Sequence, residues 1–224
     1  MSRVYKLAAL AALVALTSCS HAGSAEKARR SPDLSTAARA TQSARALRYS
    51  ARQSSAPAAS HLGRATTTWD WKETLVRVPR RAEALITTTT RSARSTVTRL
   101  VAVGPRWAVR TDTGLWTCGL GGVNAAFNPP PLVQLAQQAA FVDGTVPLRR
   151  PATGRGSAWR AKLTLGPRRG SVERFTFVLA PRSFIFRKVT YTASVEGSSE
   201  TGHAVIAVPS HTPRVALPGA CRHS

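Results

Sequence analysis

The chain has 224 residues, 43% of them hydrophobic, with 32 Lys+Arg against 10 Asp+Glu and a formal charge of +22. That apolar share is too high for a disordered polyelectrolyte, and the length suits one domain with a core of ordinary size. A chain this basic is attracted to polyanions, but no run of five or more like charges occurs, so no nucleic-acid-binding tail and no nucleic-acid partner is expected.

The first element is "LAALAALVALTSCS", residues 7–20. Its apolar run, Leu7 to Leu16, is short of the roughly 20 residues that cross a bilayer. Arg3 and Lys6 precede it and small residues follow, the order of a secretory signal peptide. Its end, Leu16-Thr17-Ser18-Cys19, resembles the lipobox of bacterial lipoproteins. That resemblance implies removal of residues 1–18 and a diacylglycerol thioether on Cys19, whose thiolate is the nucleophile. With further acylation, for instance by palmitate, each buried CH₂ contributes about 0.8 kcal/mol to membrane attachment. The expected location is the extracytoplasmic face of the cell membrane, anchored by lipid without a span. Cys118 and Cys221 then remain, and an oxidising compartment such as a periplasm favours a disulfide between them over two free thiols.

Residues 19–30 are small and polar and read as a flexible tether, leaving 31–224 as one domain. "SPDLSTAARATQSARALRY" predicts a helix, with Ser31 as N-cap, Pro32 at the first helical position and Asp33 at the positive end of the dipole. Its apolar face would carry Leu34, Ala37, Ala40, Ala44 and Leu47. Residues 46–54 read as a strand. "RATTTWDW" alternates strictly, "TLVRV" continues it, and Pro79 interrupts. "AEALITTTT" and "STVTRLVAV" flank a short turn at 91–94, and "RWAVR" and "GLWTC" flank Thr111-Asp112-Thr113-Gly114, so two hairpins are expected. About six antiparallel strands therefore fill residues 46–118.

"GLGG" at 119–122 reads as a flexible connector rather than a phosphate loop. "NPPPLVQLAQQAAF" predicts an inserted helix capped by Asn128, with Leu132, Leu135, Ala136 and Ala139 on one face. About four strands follow. Phe184, Phe186, Val189 and Tyr191 break strict alternation, which predicts a bulge near Arg187. The fold class is thus α+β, with about ten antiparallel strands that must hide one face. A curved half-barrel with helices in its concavity satisfies this, and so does a closed barrel.

The order of these parts resembles the lipid-carrier lipoproteins of the LprG/LppX type, related in fold to the periplasmic carrier LolA. The resemblance runs over most of residues 31–208 and rests on the lipobox, "ALRYSA", "ITTTTRSARSTVTRLVAVGPRWAVRT", "NPPPLVQLAQQAAF" and "FRKVTYTASVEGSSETGHAVIAV". It implies a half-barrel sheet wrapped over helices, an apolar cavity for acyl chains, and binding or transport of lipid or lipidated molecules. Large apolar side chains on the predicted sheet and helix are the expected lining: Trp69, Trp71, Trp107, Trp116, Leu132, Leu135, Phe175 and Phe177. All the tryptophans, Trp159 included, are expected in strands, and for any one of them core packing is the competing reading.

No catalytic set is legible. Asp70 and Glu73 are near neighbours where a strand is expected to pass into a turn, without a partner motif. His203 is expected at a strand start, and the other histidines in loops or termini. There is no Gly-x-Ser-x-Gly, His-Glu-x-x-His or P-loop, and no His near a Cys at zinc spacing, so no enzyme, metal or cofactor is expected. The alternative to a carrier is a non-enzymatic envelope scaffold whose Arg-rich surface binds anionic lipid or wall polymer.

Overall fold

Ten antiparallel strands form one open sheet in the computed structural model, which describes residues 33–57, 66–90, 95–121, 127–142, 146–149, 158–168, 171–195 and 197–222. The expected signal segment, Cys19, the tether, Ser31, Pro32 and the 91–94 turn lie outside the described residues. In chain order the elements are α1 (Leu34–Ser43), β1 (Ala46–Ala56), β2 (Thr67–Val76), β3 (Arg81–Thr90), β4 (Thr96–Val103), β5 (Arg106–Thr111) and β6 (Thr117–Leu120). Then come α2 (Pro131–Val142), β7 (Trp159–Arg168), β8 (Ser171–Leu179), β9 (Phe186–Val195) and β10 (Ser198–Ala207).

The sheet order is β6-β5-β4-β3-β2-β1-β10-β9-β8-β7. Two meanders, β1 to β6 and β7 to β10, are thus joined by the pairing of β1 with β10. The connection that contains α2 carries the chain from one edge strand to the other. Because β6 and β7 remain opposite edges, the sheet is a half-barrel and not a closed barrel.

Strand parity decides what is buried. Leu47, Tyr49 and Ala51 of β1 face Leu75, Glu73 and Trp71 of β2. Across β10 and β9 the same face carries Ile206, Ala204, Val189 and Tyr191, and on β8 and β7 it carries Phe175, Phe177, Ala161 and Leu163. These side chains join Leu34, Ala37 and Ala38 of α1 and Leu132, Val133, Ala136, Ala139 and Ala140 of α2 in one core. Both helices therefore occupy the concave side. Each large side chain fully buried there contributes about 1.5–3 kcal/mol.

Helix boundaries differ from the sequence reading. Asp33 is the N-cap of α1, its carboxylate accepting from the Thr36 N–H at 2.8 Å. The helix ends at Ser43, so Ala44 and Leu47 are not on its face; Leu47 belongs to β1. Continuous alanine-rich periodicity hid this end, because the strand begins with an apolar residue of its own. Asn128 does not cap α2. The Pro130 carbonyl accepts from the Val133 and Gln134 N–H groups, at 2.8 and 3.0 Å, and Pro131 opens the helix.

The β8–β9 register shifts where Val178 faces Lys188 and Leu179 faces Phe186, which leaves Arg187 as the extra residue. This bulge turns Phe186 inward together with Val189. Its backbone N–H donates to Thr41 Oγ1 at 3.0 Å, while that hydroxyl donates to the Ala37 carbonyl at 2.9 Å. A buried polar residue on α1 is thereby explained.

The opposite, convex face has a separate apolar patch. Val76, Val101 and Ala108 point away from the helices yet are buried. The chain after β10 ends on this face, where Cys118 of β6 shares the parity of Ala108. It must pass from β10 to β6, six strands away, a distance of about 29 Å at the usual spacing. Val215 and Cys221 are buried along it, and Cys221 is bonded to Cys118 of β6 with Cα atoms 5.5 Å apart. Arg106 Nη1 also donates to the Arg222 carbonyl at 2.8 Å. The C-terminal segment is a strap latched at its far end.

Candidate functional site

An apolar cavity of about 290 Å³ opens on the concave side, between β1, β2 and the start of α2. Trp69 and Trp71 of β2 and Ala51 and Gln53 of β1 form one wall, and Pro130, Pro131 and Leu132 form the other. Alternation on β2 places both indoles on the same side. Ala51, between Tyr49 and Gln53 on the inward parity of β1, leaves the gap. Gly202 on β10 sets the depth of α2: a Cβ there would lie 3.0 Å from Leu132 Cδ2 and 3.2 Å from the Arg52 carbonyl. A side chain at this position would require Leu132 or the β1 backbone to give by a few tenths of an ångström. A second, more open groove of about 440 Å³ shares Gln53, Pro131 and Leu132 and extends along Gln134, Leu135 and Gln138. Among the described residues no charged side chain lines either space.

The eight residues expected to line a pocket separate into three groups. Trp69, Trp71 and Leu132 line the cavity, and Leu135 lines the adjoining groove. Phe175 and Phe177 lie in the packed core. Their rings are 6.0 Å apart and each meets another aromatic ring, Tyr191 at 5.0 Å and Phe186 at 5.1 Å. Trp107 faces inward but lies over Gly119, and its Nε1–H donates to the Gly121 carbonyl at 3.1 Å. Gly119 is therefore a strand residue under an indole and not part of a loose connector. Trp116 precedes β6 rather than lying in a strand, and the Arg110 guanidinium stands 4.9 Å from its ring centroid. Ala51, Gln53, Pro130 and Pro131 were not legible as lining; a small residue on an inward parity between larger ones was the available signal.

Beneath the indole wall lies a buried carboxyl. Glu73 is in the middle of β2 and only 4% exposed, not at a strand end, because it shares parity with Trp69, Trp71 and Leu75. Trp71 Nε1–H donates to Glu73 Oε2 at 2.9 Å, which holds the indole at the cavity wall. Burial pushes the Glu73 carboxyl up to about 8, against the opposing pull of the Trp71 hydrogen bond and the Arg77 charge. Tyr49, its cross-strand neighbour, is pushed up by burial and by Glu73. The Tyr49 hydroxyl and Glu73 Oε1 have no hydrogen-bond partner among the described residues. A neutral carboxyl beside a neutral phenol fits an apolar chamber at pH 7.

Cys118 and Cys221 are joined as a disulfide, remote from the cavity. Among the described residues no cluster of three or more His, Cys, Asp and Glu could hold a metal ion, and no helix is long and apolar enough to cross a membrane. His203 lies in mid-strand on the convex face, not at a strand start. No protein-family model matches the chain, and no curated protein is significantly similar to it.

Proposed function

We propose that this protein is a lipid-binding carrier of the bacterial envelope, anchored through a lipidated Cys19, with a domain of the LolA and LprG/LppX kind. The observation that carries the reading is the apolar cavity between Trp69, Trp71, Ala51 and the Pro130–Pro131–Leu132 wall. Its volume of about 290 Å³ is at the small end of ligand pockets, which run about 300–1,000 Å³. That suits part of one acyl chain, with the groove along Leu135 taking the remainder. The uncharged lining disfavours a charged small molecule and rewards hydrocarbon, at about 25 cal/mol per Å² removed from water. Carriage requires no chemistry, only a chamber of this kind.

The test is displacement of a fluorescent fatty-acid analogue from the delipidated full chain by palmitate. Saturable, competitive binding that Ala51→Leu weakens is the expected result. Absence of any saturable binding refutes the carrier reading.

A further inference from the structure

A second depression lies on the other side of the sheet. It is a groove of about 550 Å³ across the convex face of β9, β10 and β1. Its lining includes the basic side chains of Arg52, Lys188 and His203 and the hydroxyls of Ser54, Thr190, Thr192 and Thr201. Register explains the assembly. His203 faces Arg52 on one side and Thr190 on the other, while Thr201 faces Thr192. Three adjacent strands thus set Thr190 and His203 in one row with Arg52, with Lys188 one register step to one side and Thr192, Thr201 and Ser54 one step to the other. Strands β9 and β1 are two spacings apart and Lys188 is offset from Arg52 by two residues along the strands, a diagonal of about 12 Å that extended Lys and Arg side chains can close from both sides.

Electrostatics favour an anion here. Among the described residues no carboxylate lines the groove. Asp70 is the cross-strand neighbour of Arg52, but its closest approach is 3.7 Å, and both side chains are largely exposed, so the pair holds Arg52 only weakly. The convex parity is nonetheless rich in cations: the paired β-strands place Lys72, Arg52, Lys188, Arg174 and Lys162 there beside Asp70 and Glu83, while Glu73, Glu173 and Glu200 share the concave parity. A guanidinium fork, a point-charge ammonium and several hydroxyl donors match the many acceptor oxygens of a phosphate better than a planar carboxylate.

The geometry points to a phosphate-binding site in this groove, with Arg52 and Lys188 as its cationic arms and Thr190 and His203 between them. Phosphate of this kind is carried by phospholipid headgroups and by free or polymeric phosphates. The site is on the sheet face opposite the apolar cavity and stands whether or not that cavity holds lipid.

The test uses the full chain carrying Cys19→Ser, so that no lipid anchor contributes. Pyrophosphate is titrated calorimetrically, and co-sedimentation is measured with phosphatidylglycerol and phosphatidylcholine vesicles. Arg52→Gln/Lys188→Gln is compared with Lys162→Gln/Arg174→Gln, which removes the same charge from the same face outside the groove. Loss of about ten-fold or more in pyrophosphate affinity for the first pair, with less than about two-fold for the second, supports the site for soluble phosphate. Binding only to phosphatidylglycerol vesicles, with the same pattern of loss, supports it for headgroups. Equal loss in both pairs, or binding to neither probe, overturns it. Both pairs are exposed, and their unfolding midpoints, measured in parallel, are expected to agree.

Discussion

Glu73→Gln is expected to flatten the pH dependence of stability. In the folded chain the carboxyl titrates near 8, raised from 4.5 chiefly by burial. Unfolding returns it to water and to the lower value. Between the two, the folded chain keeps a proton that the unfolded chain releases, so stability falls as pH rises, by about 1.4 kcal/mol per pH unit. Over the interval from 4.5 to about 8 this amounts to about 5 kcal/mol, present below pH 4.5 and lost above pH 8. Glutamine keeps an acceptor for the Trp71 indole N–H and cannot ionise. Tyr49 and Arg77, the ionisable groups that bear on Glu73, are unchanged by the substitution. Urea unfolding at pH 5, 7 and 8.5 is the assay. The variant should match the parent within about 1 kcal/mol at pH 5 and exceed it by several kcal/mol at pH 8.5. Parallel stability profiles for the two proteins would refute a buried, neutral carboxyl behind the cavity wall.

Cys118→Ser/Cys221→Ser opens a loop with a sequence separation of 103 residues and frees the strap from β6. Loop-closure entropy sets the loss at about 4–5 kcal/mol. Thermal scans should show a midpoint lower by about 8–20 °C, with reductant giving the same shift in the parent. Thr41→Val removes the acceptor for the Phe186 N–H at the β8–β9 bulge, and a urea midpoint lower by the equivalent of about 1–3 kcal/mol is expected, with the m-value unchanged. Cys19→Ala should move the protein from the membrane fraction to the soluble fraction on cell fractionation; full retention in the membrane would refute the proposed anchor.

Much of the fold was legible because period-two alternation is strong in β1, where Leu47, Tyr49 and Ala51 are buried and Arg48, Ser50 and Arg52 are exposed. Even the bulge at Arg187 announced itself, since Phe186 and Val189 cannot both face inward on a regular strand. The end of α1 was not legible. Helical periodicity in alanine carries on into the inward parity of β1 without a break, and only the backbone shows that Leu47 has left the helix. Asp70 and Glu73 were expected where a strand passes into a turn, whereas both lie within β2, and the parity of Glu73 with Trp69, Trp71 and Leu75 puts it inside. The cations read as scattered along the chain, and pairing of distant strands gathers Arg52 and Lys188 over one groove. Of the candidate site, the two tryptophans and Leu132 were recoverable from pattern. Phe175 and Phe177 were not separable from them, because an apolar residue that lines a cavity and one that packs a core carry the same sequence signal.

Native mass spectrometry of the purified full chain tests the central claim most directly. The account predicts a species heavier than the anchored polypeptide by one releasable acyl lipid, which organic extraction removes and Ala51→Leu depletes. A parent protein that carries no such lipid, and takes up none when palmitate is supplied, would contradict it.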